Sequence, residues 1–195
     1  MKPLWTPDRR ILLAGLAAIA ADRAFAHETA PIHLNYRRGR LTWSGGETCA
    51  AAGKGGVKPL KREGDGASPQ GDFPLISGYY RADRLKIPAT AFPMRPMRED
   101  DAWVDDPKDE HYNAHVRLPY RGHVENLWRK DEVYDLVIVV GYNTFPVAHG
   151  AGSAIFLHIA RPAFTPTVGC IAVSRDALVR LLPKLSPESR LRIDV

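Results

Sequence analysis

A chain of 195 residues, 45% of them hydrophobic and 25% charged, has the balance of one folded domain with a sizeable core, which excludes a disordered chain. The formal net charge of +5 is spread along the sequence. No run of Lys and Arg interleaved with aromatics occurs, so nucleic acid is not expected as a partner.

The first stretch reads as a targeting segment. Lys2, Arg9 and Arg10 precede the apolar run 11–21, which is too short for a stable membrane-spanning helix, and Ala24-Phe25-Ala26 has the form of a cleavage site. Residues 1–26 are expected to be a signal peptide and residues 27–195 a single exported domain of the periplasm or cell envelope. The adjacent arginines are similar to a twin-arginine signal, and an ordinary Sec signal fits the same residues. No later apolar stretch is long enough to span a membrane.

A first hairpin is expected from His33–Tyr36 and Arg40–Trp43 around Arg38-Gly39. The segment 45–56 reads as a glycine-rich loop without a phosphate-binding spacing. Its Cys49 opens a run of small residues and is expected to be a buried free thiol. A disulfide to Cys170, the second of the two cysteines, is the alternative. The segment 61–75 reads as a charged strand end, a tight turn and a new strand, with Lys61 and Glu63 facing a cleft. The acidic stretch 99–110 reads as a solvated loop, since its spacing does not fit a calcium loop. His111 and His115 are four apart but lack a third ligand, so no metal site is expected. The segment 124–129 reads as a short helix, and Leu136–Val140 as a central strand buried on both faces.

The chemistry concentrates between Ser153 and Ser174. Ala154–Ile159 reads as a strand with Ala154, Phe156 and His158 on one face and Ile155, Leu157 and Ile159 on the other. Arg161-Pro162 ends it, and Cys170–Val173 reads as a neighbouring strand. A lone histidine or free cysteine is more often a packed core residue. Together they form a nucleophile and its base, because a thiol attacks as thiolate and an adjacent imidazole can take its proton. Gly169 leaves a bare amide beside the sulfur, so the Gly169 and Cys170 amides are expected as oxyanion donors. Ser174 caps a helix with an apolar stripe at Ala177, Leu178, Leu181 and Leu182, and Leu191, Ile193 and Val195 alternate as a closing strand.

These segments resemble the catalytic domain of the L,D-transpeptidases of the YkuD type. That family carries a histidine on one strand and Ser/Thr-His-Gly-Cys opening the next. Here Thr167-Val168-Gly169-Cys170 keeps the threonine, glycine and cysteine. Val168 replaces the second histidine, and Ala172 stands where arginine is frequent. The chain is more similar to a divergent branch reading G-S-A-I-F-L-H and then P-T-x-G-C. The segment 61–75 resembles the family's G-D-x-x-T-P-x-G-x-F/Y segment, with Ser68 for the threonine.

The resemblance implies a mostly β, sandwich-like domain with a few short helices. It implies a monomer that needs no metal or organic cofactor. Its substrate would be a peptidoglycan stem peptide, in cell wall biogenesis and the setting of cell shape. Cys170 would form a thioester with His158 as base. Thr167 would shape the site, and Trp103, Tyr112 and Asn113 would line the substrate groove. An L,D-carboxypeptidase or endopeptidase, and an exported peptidoglycan-binding protein without chemistry, are the alternatives.

Overall fold

The computed structural model describes residues 32–195; the expected signal peptide lies outside them. In chain order the strands are β1 (Ile32–Asn35), β2 (Arg40–Trp43), β3 (Gly46–Ala51), β4 (Val57–Lys58), β5 (Ser68–Pro69), β6 (Gly71–Tyr80), β7 (Met94–Pro96), β8 (Asp101–Val104), β9 (His115–Arg117), β10 (Val124–Asn126), β11 (Leu136–Val140), β12 (Phe156–Ile159), β13 (Ile171–Val173) and β14 (Arg190–Asp194). One α-helix, α1 (Arg175–Leu181), follows β13. It starts at Ser174, whose hydroxyl accepts the Ala177 N–H, and Pro183 diverts its end into a short 3-10 turn.

The largest sheet runs β11-β12-β13-β3-β2-β1-β14-β6-β7 and closes on itself because β6 also pairs with β11. Two strands make the closure. The start of β6 pairs with β14 and its end with β11. β3 likewise pairs with β2 and with β13. Two leaves therefore face each other across a shared core, a sandwich-like, mostly β domain.

The alternation expected along β12 places its residues in two separate cores. Ile155, Leu157 and Ile159 join Leu34, Leu41, Ile138 and Leu178 inside the closed sheet. Ala154 and Phe156 join Cys170, Tyr134, Val137 and Trp103 on its outer face. β11 is buried on both faces in the same way, with Ile138 inward and Val137 and Val139 outward. Each fully buried Leu or Phe contributes roughly 2 kcal/mol relative to exposure, so β11 and β12 are held from both sides. The outer core is covered by the small sheet β10-β8-β9.

Three segments differ from the sequence reading, and each becomes a strand through tertiary pairing. The expected glycine-rich loop contains β3, because Thr48 to Ala51 bridge two strands that both need a partner. Cys49 on it is a free thiol but exposed. The expected acidic loop contains β8, which is buried throughout. Its Asp101 is 0% exposed, yet Arg95 binds it at 2.8 Å and His115 Nε2 lies 2.8 Å from it. A buried carboxylate held this way does not read as solvated. The expected helix at 124–129 is β10, paired with β8, and Leu127 beyond it fills the outer core.

Candidate active site

A cavity of about 850 Å³ opens between the outer face of β12 and the edge of the small sheet. Cys170 and His158 both line it. β12 and β13 run parallel with His158 opposite Ala172. Cys170 therefore lies one pleat earlier than the residue facing His158, on the side of Phe156. The Cys170 sulfur donates to the Ala154 carbonyl at 3.2 Å and accepts the Phe156 N–H at 3.4 Å. Among the described residues no hydrogen bond joins the sulfur to the imidazole.

His158 is 4% exposed. Its Nδ1 lies 2.9 Å from the Ile159 carbonyl, which can only accept, so Nδ1 carries the hydrogen and Nε2 the lone pair. Burial pulls its pKa down to about 4. Burial, followed by the nearby Glu125 charge, pushes the Cys170 thiol up to about 12. The Phe156 N–H, the Tyr134 side chain and the Lys61 charge act against that rise. The resting pair is neutral thiol and neutral imidazole.

The turn that presents the sulfur is built by its own residues. Thr167 Oγ1 donates to the Cys170 carbonyl at 2.6 Å and accepts the Gly169 N–H at 3.1 Å. Gly169 has φ of 142°, and a Cβ there would come within 3.0 Å of the Ala67 carbonyl. Ser68 Oγ donates to the Gly169 carbonyl at 2.7 Å. The Gly169 amide expected as an oxyanion donor is thus engaged by Thr167. The Cys170 N–H makes no hydrogen bond among the described residues.

Lys61, Glu63 and Thr167 line the cavity. Lys61 is 7% exposed, with Nζ donating to Asp65 at 2.9 Å and to the Arg62 carbonyl at 3.2 Å. Burial opposes the Asp65 charge, but the Arg62 and Ala67 amides and Lys61 hold its pKa down to about 2. Glu63 accepts from Tyr112 Oη at 2.5 Å and from Ser153 Oγ at 2.7 Å.

Trp103, Tyr112 and Asn113 stand elsewhere: they brace the wall from behind and do not line the cavity. Trp103 Nε1 donates to Asn113 Oδ1 at 2.9 Å, and that oxygen also accepts the Ala154 N–H at 3.0 Å. Ala154 sits at φ 50°, where a non-glycine residue is strained by roughly 1–3 kcal/mol. Asn113 therefore helps hold the carbonyl on which the sulfur rests. The Tyr112 hydroxyl accepts the Gly152 N–H at 2.9 Å, and burial and Glu63 raise its pKa.

Two cavity residues carry no sequence signal. Tyr134 is 5% exposed and sits in a turn pinned to β12 by the Ile159 N–H on the Val133 carbonyl. Its ring meets His158 edge-on at 5.2 Å, and its hydroxyl donates to Glu125 Oε1 at 2.5 Å. Glu125 lies within the segment that reads as a helix, so neither spacing nor alternation pairs it with Tyr134.

Among the described residues no group of three or more His, Cys, Asp or Glu side chains is arranged to hold a metal, and no helix is long and apolar enough to cross a membrane. The family model described as YkuD, L,D-transpeptidase catalytic domain, matches residues 28–193. No curated protein and no solved structure matches the chain.

Proposed function

The chain belongs to the L,D-transpeptidase catalytic domain family, whose enzymes act on peptidoglycan, and on that premise we propose that it is a cysteine acyltransferase using Cys170 as nucleophile and His158 as base. The supporting observation is the shared cavity, in which a thiol faces the same space as an imidazole whose Nε2 lone pair is left available. Nε2 takes the Cys170 proton as the sulfur attacks the carbonyl of a peptide stem. The amide bond breaks, His158 returns the proton to the leaving amine, and a thioester remains. An acceptor amine then attacks the thioester, gives its proton to His158, and releases Cys170 as thiol.

The transition-state oxygen needs a donor. The Cys170 N–H is the nearest unengaged amide, and Gly169 N–H can add to it only by leaving Thr167. By family membership the donor stem is a tetrapeptide, cut between its third, diamino acid residue and the terminal D-alanine. No metal or organic cofactor enters these steps. The protein acts in the envelope after export, as a monomer.

One observation favours a second reading. Cys170 is buried, its thiol is held by Ala154, and no hydrogen bond reaches it from His158. A peptidoglycan-binding protein without chemistry would show such a thiol. Incubation of the purified protein with tetrapeptide muropeptides separates the outcomes. Cross-linked dimers support transpeptidation, tripeptides alone mark an L,D-carboxypeptidase, and unchanged muropeptides favour the binding protein.

A further inference from the structure

Every thiolate mechanism at Cys170 meets one difficulty: the sulfur is enclosed, and a buried anion is costly unless donors surround it. The Phe156 N–H at 3.4 Å is one donor. Tyr134 packs in the same buried cluster as Cys170 and lines the same cavity, without a hydrogen bond to the sulfur in the resting arrangement. Tyr134 is fixed on three sides. Its ring packs edge-on against Phe156 at 5.8 Å and against His158 at 5.2 Å, and the Arg129 guanidinium lies 5.2 Å from it.

The hydroxyl proton of Tyr134, however, points to Glu125 Oε1 at 2.5 Å. With Glu125 ionised, Tyr134 has no hydrogen left for the sulfur, and a carboxylate stands near a forming thiolate. Both effects oppose ionisation of Cys170. With a proton on Glu125 the chain of bonds reverses: the carboxyl donates to the tyrosine oxygen, and the tyrosine hydrogen turns to the sulfur.

We propose that Tyr134 is a catalytic residue that donates a hydrogen bond to the Cys170 thiolate, and that protonated Glu125 is the positioning residue that frees it to do so. The proton count is conserved. The thiol proton passes to His158 Nε2, Glu125 keeps its own, and Tyr134 only changes the atom it donates to. Burial is the largest influence on Glu125 and raises its pKa, the hydrogen bond from Tyr134 lowers it, Asp105 adds to the rise, and Arg129 and Arg161 oppose it; the net direction is upward, towards a retained proton. The inference rests on Cys170 being the nucleophile.

The test is the rate of Cys170 alkylation by iodoacetamide from pH 5 to 9, followed by intact mass in a Cys49→Ser background, with circular dichroism confirming the fold. Tyr134→Phe, which keeps the ring, is expected to slow alkylation at pH 7 about tenfold and move the profile about one unit upward, as loss of one hydrogen bond to a charged group does. Glu125→Gln, whose amide can donate as the protonated acid does, is expected to stay within about threefold of the parent. A folded Tyr134→Phe protein with the parent profile overturns the inference, as does a Glu125→Gln protein slowed tenfold. If Cys170 in the parent protein does not react at all, the nucleophile assignment fails and the inference with it. Reaction of the parent with no effect of Tyr134→Phe removes the inference alone.

Discussion

His158 Nδ1 lies 2.9 Å from the carbonyl of the next residue, Ile159. Among the described residues no carboxylate hydrogen-bonds this imidazole; the strand's own backbone orients it. The bond fixes the tautomer, and β12, buried on both faces, fixes the ring. His158→Gln is expected to lower the rate of Cys170 acylation by a carbapenem about 10²–10⁴-fold, the usual contribution of a general base. The rate is read by intact mass, with Cys170→Ala as the unreactive control. An unchanged rate would remove His158 from the mechanism.

The same burial gives stability a definite pH dependence. The pKa of His158 is about 4 in the fold against 6.5 for the free side chain. Between those values the unfolded chain binds the extra proton, so stability rises with pH across the window and is lost as pH falls from 6.5 towards 4. The full effect is about 3 kcal/mol. Urea unfolding at pH 4 and pH 7 is expected to show that loss in the parent protein. His158→Gln should show less of it.

Thr167 has its hydroxyl committed in two directions, to the Cys170 carbonyl and from the Gly169 amide. Thr167→Val keeps the shape and removes both bonds. It is expected to cost about 1–3 kcal/mol in urea unfolding, the penalty of unpaired buried groups. Thr167→Ser is expected to restore most of it.

Asn113 holds the strained Ala154 whose carbonyl receives the thiol. Asn113→Ala is expected to lower stability by about 2 kcal/mol and to change Cys170 alkylation, although Asn113 lies outside the cavity. A stability loss with unchanged alkylation would make its role purely structural.

Much of the architecture was legible because it rests on local pattern. β11 is a continuous apolar run, β12 alternates, and Ser174 caps α1, so these elements need no knowledge of their neighbours. The family resemblance followed from the same stretch. The three strands that read as loop or helix, β3, β8 and β10, are strands only because partners bind them. Asp101 reads as solvated until Arg95 is placed beside it. The site divides similarly. His158, Cys170, Gly169 and Thr167 are close in sequence and were named from it. Tyr134, in the turn before β11, and Glu125, on β10, meet through one side-chain hydrogen bond that no spacing encodes. Trp103, Tyr112 and Asn113 were expected to line the groove, but their polar atoms are spent on holding the wall behind β12.

The central claim is that Cys170 forms an acyl-enzyme, and its most direct measurement is the intact mass of the protein during reaction with a tetrapeptide muropeptide. The account predicts a thioester adduct, mapped to Cys170 by peptide sequencing, that is absent in Cys170→Ala and strongly reduced in His158→Gln. A folded parent protein that consumes the muropeptide with no adduct at Cys170, or a Cys170→Ala protein that still consumes it, would contradict the account.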